Sequence, residues 1–358
     1  MKKILAMAIA SAFAAPAFAA TANVDVGGYM NFSVDYLDSD NAANGGNVGI
    51  SSNASNIFFK GAEDLGGGLK AIWQVQTFFS AGGTGNNDGS LGGVADGVGS
   101  GNTYVGLAGG FGTVLVGKNE SPVKMLSRKV DLFGNQIGDN RNLTNDTGWD
   151  LRPNNQIAYT TPNMSGFSGT VAYFSNLGPN EGGVAGPSID ATVDGWAAAA
   201  NYANGPLMLG LGYETHNLSN FNAALEDERV WRLNGGYTFG NAKLVGFYQK
   251  ADDRDGVNGS DRTVWGLGGA YMMGNINLKA QYYKAGDAND VDNTGADMWA
   301  LGADYSLSKR TMLQLAYAET DNDSGASLSV FGGGHGDNPG TSVGGNPNGF
   351  SVGVVHTF

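Results

Sequence analysis

Beyond its first twenty residues the chain alternates. Val24, Val26, Gly28, Met30, Phe32, Val34 and Tyr36 share one face of an extended segment, and Asp25, Gly27, Tyr29, Asn31, Ser33 and Asp35 share the other. A period of two with one apolar and one polar side belongs to a β-strand. The pattern returns where Leu69, Ala71, Trp73 and Val75 oppose Lys70, Ile72, Gln74 and Gln76. It returns again where Trp231, Leu233, Tyr237 and Phe239 oppose Val230, Arg232, Asn234 and Thr238, and where Ile276, Leu278, Ala280 and Tyr282 oppose Asn277, Lys279, Gln281 and Tyr283. Not every strand is this clean: around Leu244 to Lys250 both faces hold apolar residues, and no outside is assigned there. Sixteen strands are expected, near residues 23–37, 47–62, 67–80, 101–109, 111–119, 152–161, 167–177, 190–204, 206–217, 228–240, 241–251, 261–273, 275–286, 296–307, 311–321 and 349–358.

The connections carry more information than the strands. After the first, short turns such as Ala203-Asn204-Gly205, Phe239-Gly240-Asn241 and Met273-Gly274-Asn275 take turns with long polar loops. An even number of strands with tight turns at one rim and long loops at the other is the pattern of an outer-membrane barrel. A soluble sandwich or β-helix also alternates, but does not sort its connections by length. No segment after the leader offers the ~18 consecutive apolar residues of a helical span. An open sheet edge at membrane depth would leave backbone groups without partners, so the strands must close. Sixteen enclose more space than side chains fill, and the polar face lines water.

Composition removes other classes. Glycine supplies 59 of 358 residues without a triplet repeat, and there is no cysteine, so collagen, disulfide frameworks and thiolate metal sites are excluded. His216, His335 and His356 lie far apart, there is no GxSxG, and neither a catalytic centre, a metal site nor a cofactor is expected. Residues 252–261 have no register that makes a calcium loop, and Gly266-Leu267-Gly268-Gly269 lies inside a strand with no helix after it. Lys2 and Lys3, the apolar run 4–15 and Ala17-Phe18-Ala19 form a secretory leader, with cleavage expected after Ala19. Residues 20–358 then hold 18 basic groups against 33 acidic ones, a net of −15, and nucleic acid is an unsuitable partner.

Several stretches resemble the general, non-specific porin family of Gram-negative bacterial outer membranes. They are SNIFFKGAEDLGGGLKAIWQVQTFF at 55–79, YVGLAGGFGTVLVGK at 104–118, NNQIAYTTPNMSGFSGTVAYFSN at 154–176, YSLSKRTMLQLAYA at 305–318 and the terminal FSVGVVHTF at 350–358. The resemblance implies a homotrimer in lipid and lipopolysaccharide, inserted by the barrel assembly machinery, which reads Phe358. It also implies a third external loop folded into the lumen, with acidic groups on the loop facing basic groups on the wall. The connection 120–151 occupies that place and is long enough to be functional. Its acids Asp131, Asp139, Asp146 and Asp150 are the expected negative side of the constriction, Asp131 and Asp139 foremost, while Arg128, Lys129 and Arg141 share the loop.

The wall departs from the family pattern. Asn56 stands where porins often carry an arginine, Phe58 replaces a glycine, and Gly101 lies near the place of another missing arginine. By parity Lys60, Arg232, Arg262 and Lys279 point inward. The expectation is an all-β, 16-stranded antiparallel transmembrane barrel with short periplasmic turns, and a channel for passive diffusion of small hydrophilic solutes and ions. Its acidic chain and thinned wall arginines point to cation preference. The alternative is a substrate-selective channel in which Phe58, Tyr29 and Tyr283 form an aromatic track; an outer-membrane enzyme or a sealed barrel lacks support.

Overall fold

The computed structural model describes residues 23–40, 46–79, 98–144, 148–175, 177, 193–220, 222–289 and 291–358. The leader expected at 1–19 lies outside them. The strands are β1 (Asn23–Asp38), β2 (Asn47–Ser52), β3 (Asn56–Gly66), β4 (Leu69–Phe78), β5 (Thr103–Gly109), β6 (Gly112–Lys118), β7 (Gln156–Thr160), β8 (Phe167–Phe174) and β9 (Gly195–Asn204). They continue with β10 (Leu207–His216), β11 (Glu228–Phe239), β12 (Ala242–Asp252), β13 (Arg262–Met273), β14 (Ile276–Ala285), β15 (Ala296–Ser306), β16 (Thr311–Asn322) and β17 (Asn348–Thr357). All form one antiparallel sheet in chain order, and β17 pairs with β1 to close it.

The segment expected as one strand over 47–62 is broken at residues 53–55, where Ala54 takes φ +54°. Both pieces still pair with β1, β2 through Phe32↔Ser52 and β3 through Tyr29↔Asn56. Seventeen segments therefore fill sixteen positions. At the closing seam Tyr29 to Asp38 face Thr357 to Asn348, and Gly28 N and Phe358 N each donate to the other residue's carbonyl, at 3.0 and 3.2 Å. Gly205, Gly240 and Gly274 have positive φ and open space where a Cβ would be, so their role is to turn the chain between strands.

Parity holds around the wall. In β1 Val34 and Tyr36 are half exposed to the membrane, while Asn31, Ser33 and Asp35 are buried within the barrel. In β11 Leu233 is 52% exposed and its neighbour Arg232 is 0% exposed, which fixes outside and inside within one residue step. Trp196, Trp231, Trp265 and Trp299 sit near the loop-side ends of β9, β11, β13 and β15. Each meets a tyrosine at 4.6 to 5.5 Å between ring centroids, forming an aromatic band. Phe350, Val352, Val354 and Phe358 also face outward.

Lysine at Leu233, halfway along β11, should cost about 2–4 kcal/mol, whereas lysine at Gln74, on the lumen side of β4, should change stability by less than ~0.5 kcal/mol. Urea unfolding midpoints in lipid vesicles check this difference, and equal losses at the two sites would contradict the assignment of faces.

Candidate functional site: the lumen constriction

The connection from β6 to β7 turns inward and crosses the lumen. It opens with helix α1 (Pro122–Val130), which Ser121 caps by accepting from Lys124 N at 3.0 Å, with Pro122 in the first turn. Arg128 and Lys129 occupy the last turn, where the helix dipole favours cations. A short helical turn, α2 (Arg141–Thr144), follows. Val123, Leu126 and Val130 are fully buried against the wall. The wall makes room for them: a Cβ at Gly210 or Gly212 on β10 would come within 2.6 and 2.5 Å of Leu126. At Gly268 on β13 a Cβ would lie 2.9 Å from Leu132.

Polar anchors complete the seat. Arg232, fully buried, donates to Asp150 Oδ1 at 2.6 Å, to Gln249 Oε1 at 2.7 Å and to the carbonyls of Val123 and Thr144. Gln281 Nε2 donates to Gly138 O at 2.8 Å and to Asp131 Oδ1 at 3.1 Å, and its carbonyl accepts from Leu132 N at 2.9 Å. Lys279 pairs with Asp304 at 2.9 Å, reaches Gln136 and lies 4.7 Å from the Phe133 ring centroid. Tyr283 is buried and accepts from Asn140 at 3.1 Å.

Of the expected acidic face, Asp131, Asp139 and Asp150 are turned into the loop's seat rather than toward the water. Asp150 is consumed by Arg232. Asp139 is completely buried and accepts from Arg141 Nε at 2.9 Å, Arg141 Nη2 at 2.6 Å, Arg128 Nη1 at 3.3 Å and Asn135 N at 2.7 Å. Burial, reinforced by the Asp139 carboxylate, pushes Asp131 well above the usual carboxylate range, toward its neutral form. Asp146 lies outside the described residues. The physical reason is desolvation: a carboxylate turned into the seat needs donors, and the nearest arginines supply them.

What remains beside the water is a space of about 180 Å³ between the loop and the strands β3 to β5. Asn56, Gln76, Phe78 and Asn102 line its wall side; Glu120, Arg128, Asn135, Arg141 and Arg152 line the other, with Gly334 from the loop before β17. Arg152 donates to Asn102 at 2.8 Å and to Glu120 at 2.9 Å, and its guanidinium lies 4.9 Å from the Phe78 ring centroid. Lys124 approaches Glu120 at 3.4 Å. Burial alone would raise the Glu120 carboxyl, but Lys124, Arg152 and Arg128 outweigh it and hold it down at about 2. Burial lowers Lys124 to about 7 despite Glu120.

Of the wall residues singled out from sequence, Asn56 joins this space, accepting from Gln76 at 2.9 Å. Phe58 faces the lumen over Gly27, with the Lys60 ammonium 5.4 Å from its ring centroid. Arg232 and Lys279 face inward but lie beneath the loop as anchors. Arg262 stands at the loop-side end of β13 and donates to Thr294 O at 2.7 Å, away from the constriction. Glu120, Lys124, Asn135 and Arg152 escaped the sequence reading because they flank the loop or lack a strand parity. The inward pair Gly210 and Gly212 was a readable sign of the seat.

A closed sixteen-position barrel narrowed by an infolded loop defines a channel of the outer membrane. The family model described as Gram-negative porin matches residues 6–325, and the chain belongs to that family. It is 31% identical over 271 residues to outer membrane porin protein 32 of Delftia acidovorans, covering 72% of each chain. It is 32% identical over 247 residues to a major outer membrane protein P.IB of Neisseria meningitidis serogroup B, covering 66% of each. Among solved structures, the anion-selective porin from Comamonas acidovorans superposes with a TM-score of 0.76 at 27% identity, over 94% of this chain and 100% of that one. OmpT of Vibrio cholerae shares the fold, with a TM-score of 0.65 at 16% identity.

Removing one member of the buried Arg232 and Asp150 pair, as in Arg232→Met, should destabilise the protein by about 3–5 kcal/mol. Adding Asp150→Asn should restore a large part of the loss. A double-mutant cycle on unfolding midpoints checks the coupling, and additive losses would mean that the pair does not act as a unit.

Proposed function

We propose that this porin forms a water-filled channel for passive diffusion of small hydrophilic solutes and ions, that it prefers anions, and that it works as a homotrimer. The observation that carries the ion preference is a ratio. Asp139 is shared by Arg128 and Arg141, and Glu120 by Lys124 and Arg152, two cations to one carboxylate in each cluster. Each guanidinium offers five N–H donors, so pairing leaves donors free to face water. Behind them Asp150 is balanced by Arg232. The low-dielectric wall focuses this local excess on permeating ions.

This reading takes the place of the cation preference expected from the net charge of −15, because Asp131, Asp139 and Asp150 are turned into the loop's seat. The anion-selective title of the Comamonas acidovorans neighbour supports the same sign. A neighbour described in a trimer form supports the assembly. Contact with outer-membrane lipid, lipopolysaccharide and the assembly machinery belongs to the same reading. The aromatic-track alternative loses one of its three elements, since Tyr283 lies beneath the loop rather than along the passage.

The test is the reversal potential of the purified protein in a planar bilayer under a salt gradient. Anions should be favoured, the triple change of Arg128, Arg141 and Arg152 to Gln should move the ratio to cations, and high salt should weaken both effects. A cation-favouring wild type would refute the assignment. Rising pH removes the Lys124 proton, held at about 7, and ionises Asp131; both changes subtract positive charge. Anion preference should therefore fall between about pH 6 and about pH 8, measured by the same reversal potentials.

A further inference from the structure

The loop from β16 to β17, residues 323–347, also enters the lumen. Gly138 N donates to Val330 O at 2.8 Å, and Gly332 N donates to Asn142 Oδ1 at 2.7 Å. Gly333 and Gly334 then lie against the ion cluster with positive φ. A Cβ at Gly333 would come within 2.7 Å of Asp139 Oδ1, and one at Gly334 within 2.6 Å of Arg141 Nη2. Gly334 thereby forms part of the wall of the constriction space.

The next two residues fasten this stretch to β1 and to the break between β2 and β3. His335 is 2% exposed; its Nε2 lies 3.1 Å from Asp35 Oδ2 and its Nδ1 2.8 Å from Asp337 O. Gly336 N donates to Asn53 Oδ1 at 2.9 Å, in the break between β2 and β3. Asn53 Nδ2 donates to Ser33 Oγ at 2.8 Å, and Ser33 Oγ donates to Asp35 Oδ2 at 3.0 Å. A backbone carbonyl only accepts, so Nδ1 donates to Asp337 O, and Nε2 meets the Asp35 carboxylate.

We infer that His335 is a positioning residue of the constriction, a clamp between Asp35 and the Asp337 carbonyl that keeps Gly333 and Gly334 in the passage. The charged groups around the clamp are Asp35 on β1, Asp337 in the same loop and, across Gly333 and Gly334, Asp139 and Arg141. Ser33 and Asn53 complete the seat without titrating. The clamp needs only that the barrel conducts, and does not depend on the sign of its ion preference.

Single-channel conductance of the full-length protein in planar bilayers tests the clamp. His335→Ala and Asp35→Ala should each conduct more than the wild type, because the loop is released from β1 and the passage widens. Asp35→Asn should stay at the wild-type level, because the amide keeps a polar partner for Nε2 while Nδ1 keeps the Asp337 carbonyl. A His335→Ala conductance equal to that of the wild type, or a rise in Asp35→Asn as large as in Asp35→Ala, would overturn the clamp. The two Asp35 variants decide the matter even where His335→Ala does not fold.

Discussion

Hydrocarbon offers a peptide group no hydrogen-bond partner, and each unpaired N–H or C=O at membrane depth costs several kcal/mol. The seam between β17 and β1 answers that constraint over ten residue pairs, from Tyr29 and Thr357 to Asp38 and Asn348. Once the backbone is satisfied within the wall, side chains are released from that duty and sort by solvent alone. Leu233 can face lipid because Arg232, one step away, faces the interior. Closure at sixteen positions also leaves a lumen too wide for wall side chains to fill. Selectivity must then come from whatever folds into that space.

The infolded loop is a soluble segment docked onto the polar inside of a membrane protein, and its contacts follow the rules of a buried interface. Leu126 sits over Gly210 and Gly212, so the helix approaches the sheet closely. Asp150 and Asp139 enter the contact only with guanidinium partners, since an unpaired buried carboxylate would be far more costly than the pair. Acids and bases thus enter the contact together, as pairs. The arginines that neutralise Asp139 also line the constriction space. Residues 120 to 152 hold as many acids as bases, so their placement rather than their number decides what faces the passage.

Strands, turns and the length of the constriction loop were legible in the sequence because each depends on local rules. Alternation gives the faces, glycine with positive φ gives turns such as Gly240, and a connection from 120 to 151 has no local reason to be so long. The break at 53–55 was not legible, since Ser51 to Asn56 continues the polar spacing of a strand and only the pairing with β1 reveals two pieces. Parity placed Arg232 and Lys279 inward correctly, but says nothing about depth. Both proved to be anchors under the loop rather than pore-lining groups. Net charge is silent about position for a similar reason. Asp227, Asp253 and Asp261 count fully in the total, yet they stand among the loops at the rim, remote from the narrow space.

The departure at Asn56 shows how charge can move between elements while the task stays in place. Where the family pattern suggests a wall arginine, the wall here offers amides, Asn56 and Gln76, joined to each other. The guanidinium facing that patch is Arg152, which leaves the end of the infolded loop, bonds Asn102 and stacks on Phe78. A cation on a strand is fixed by the register of the sheet. A cation on the loop is fixed by its partners, here Glu120, and shares the fate of that loop. The sign of the passage is then coupled to the anchoring of the loop: whatever loosens the seat at Arg232 and Asp150 also displaces the charges that meet the solute.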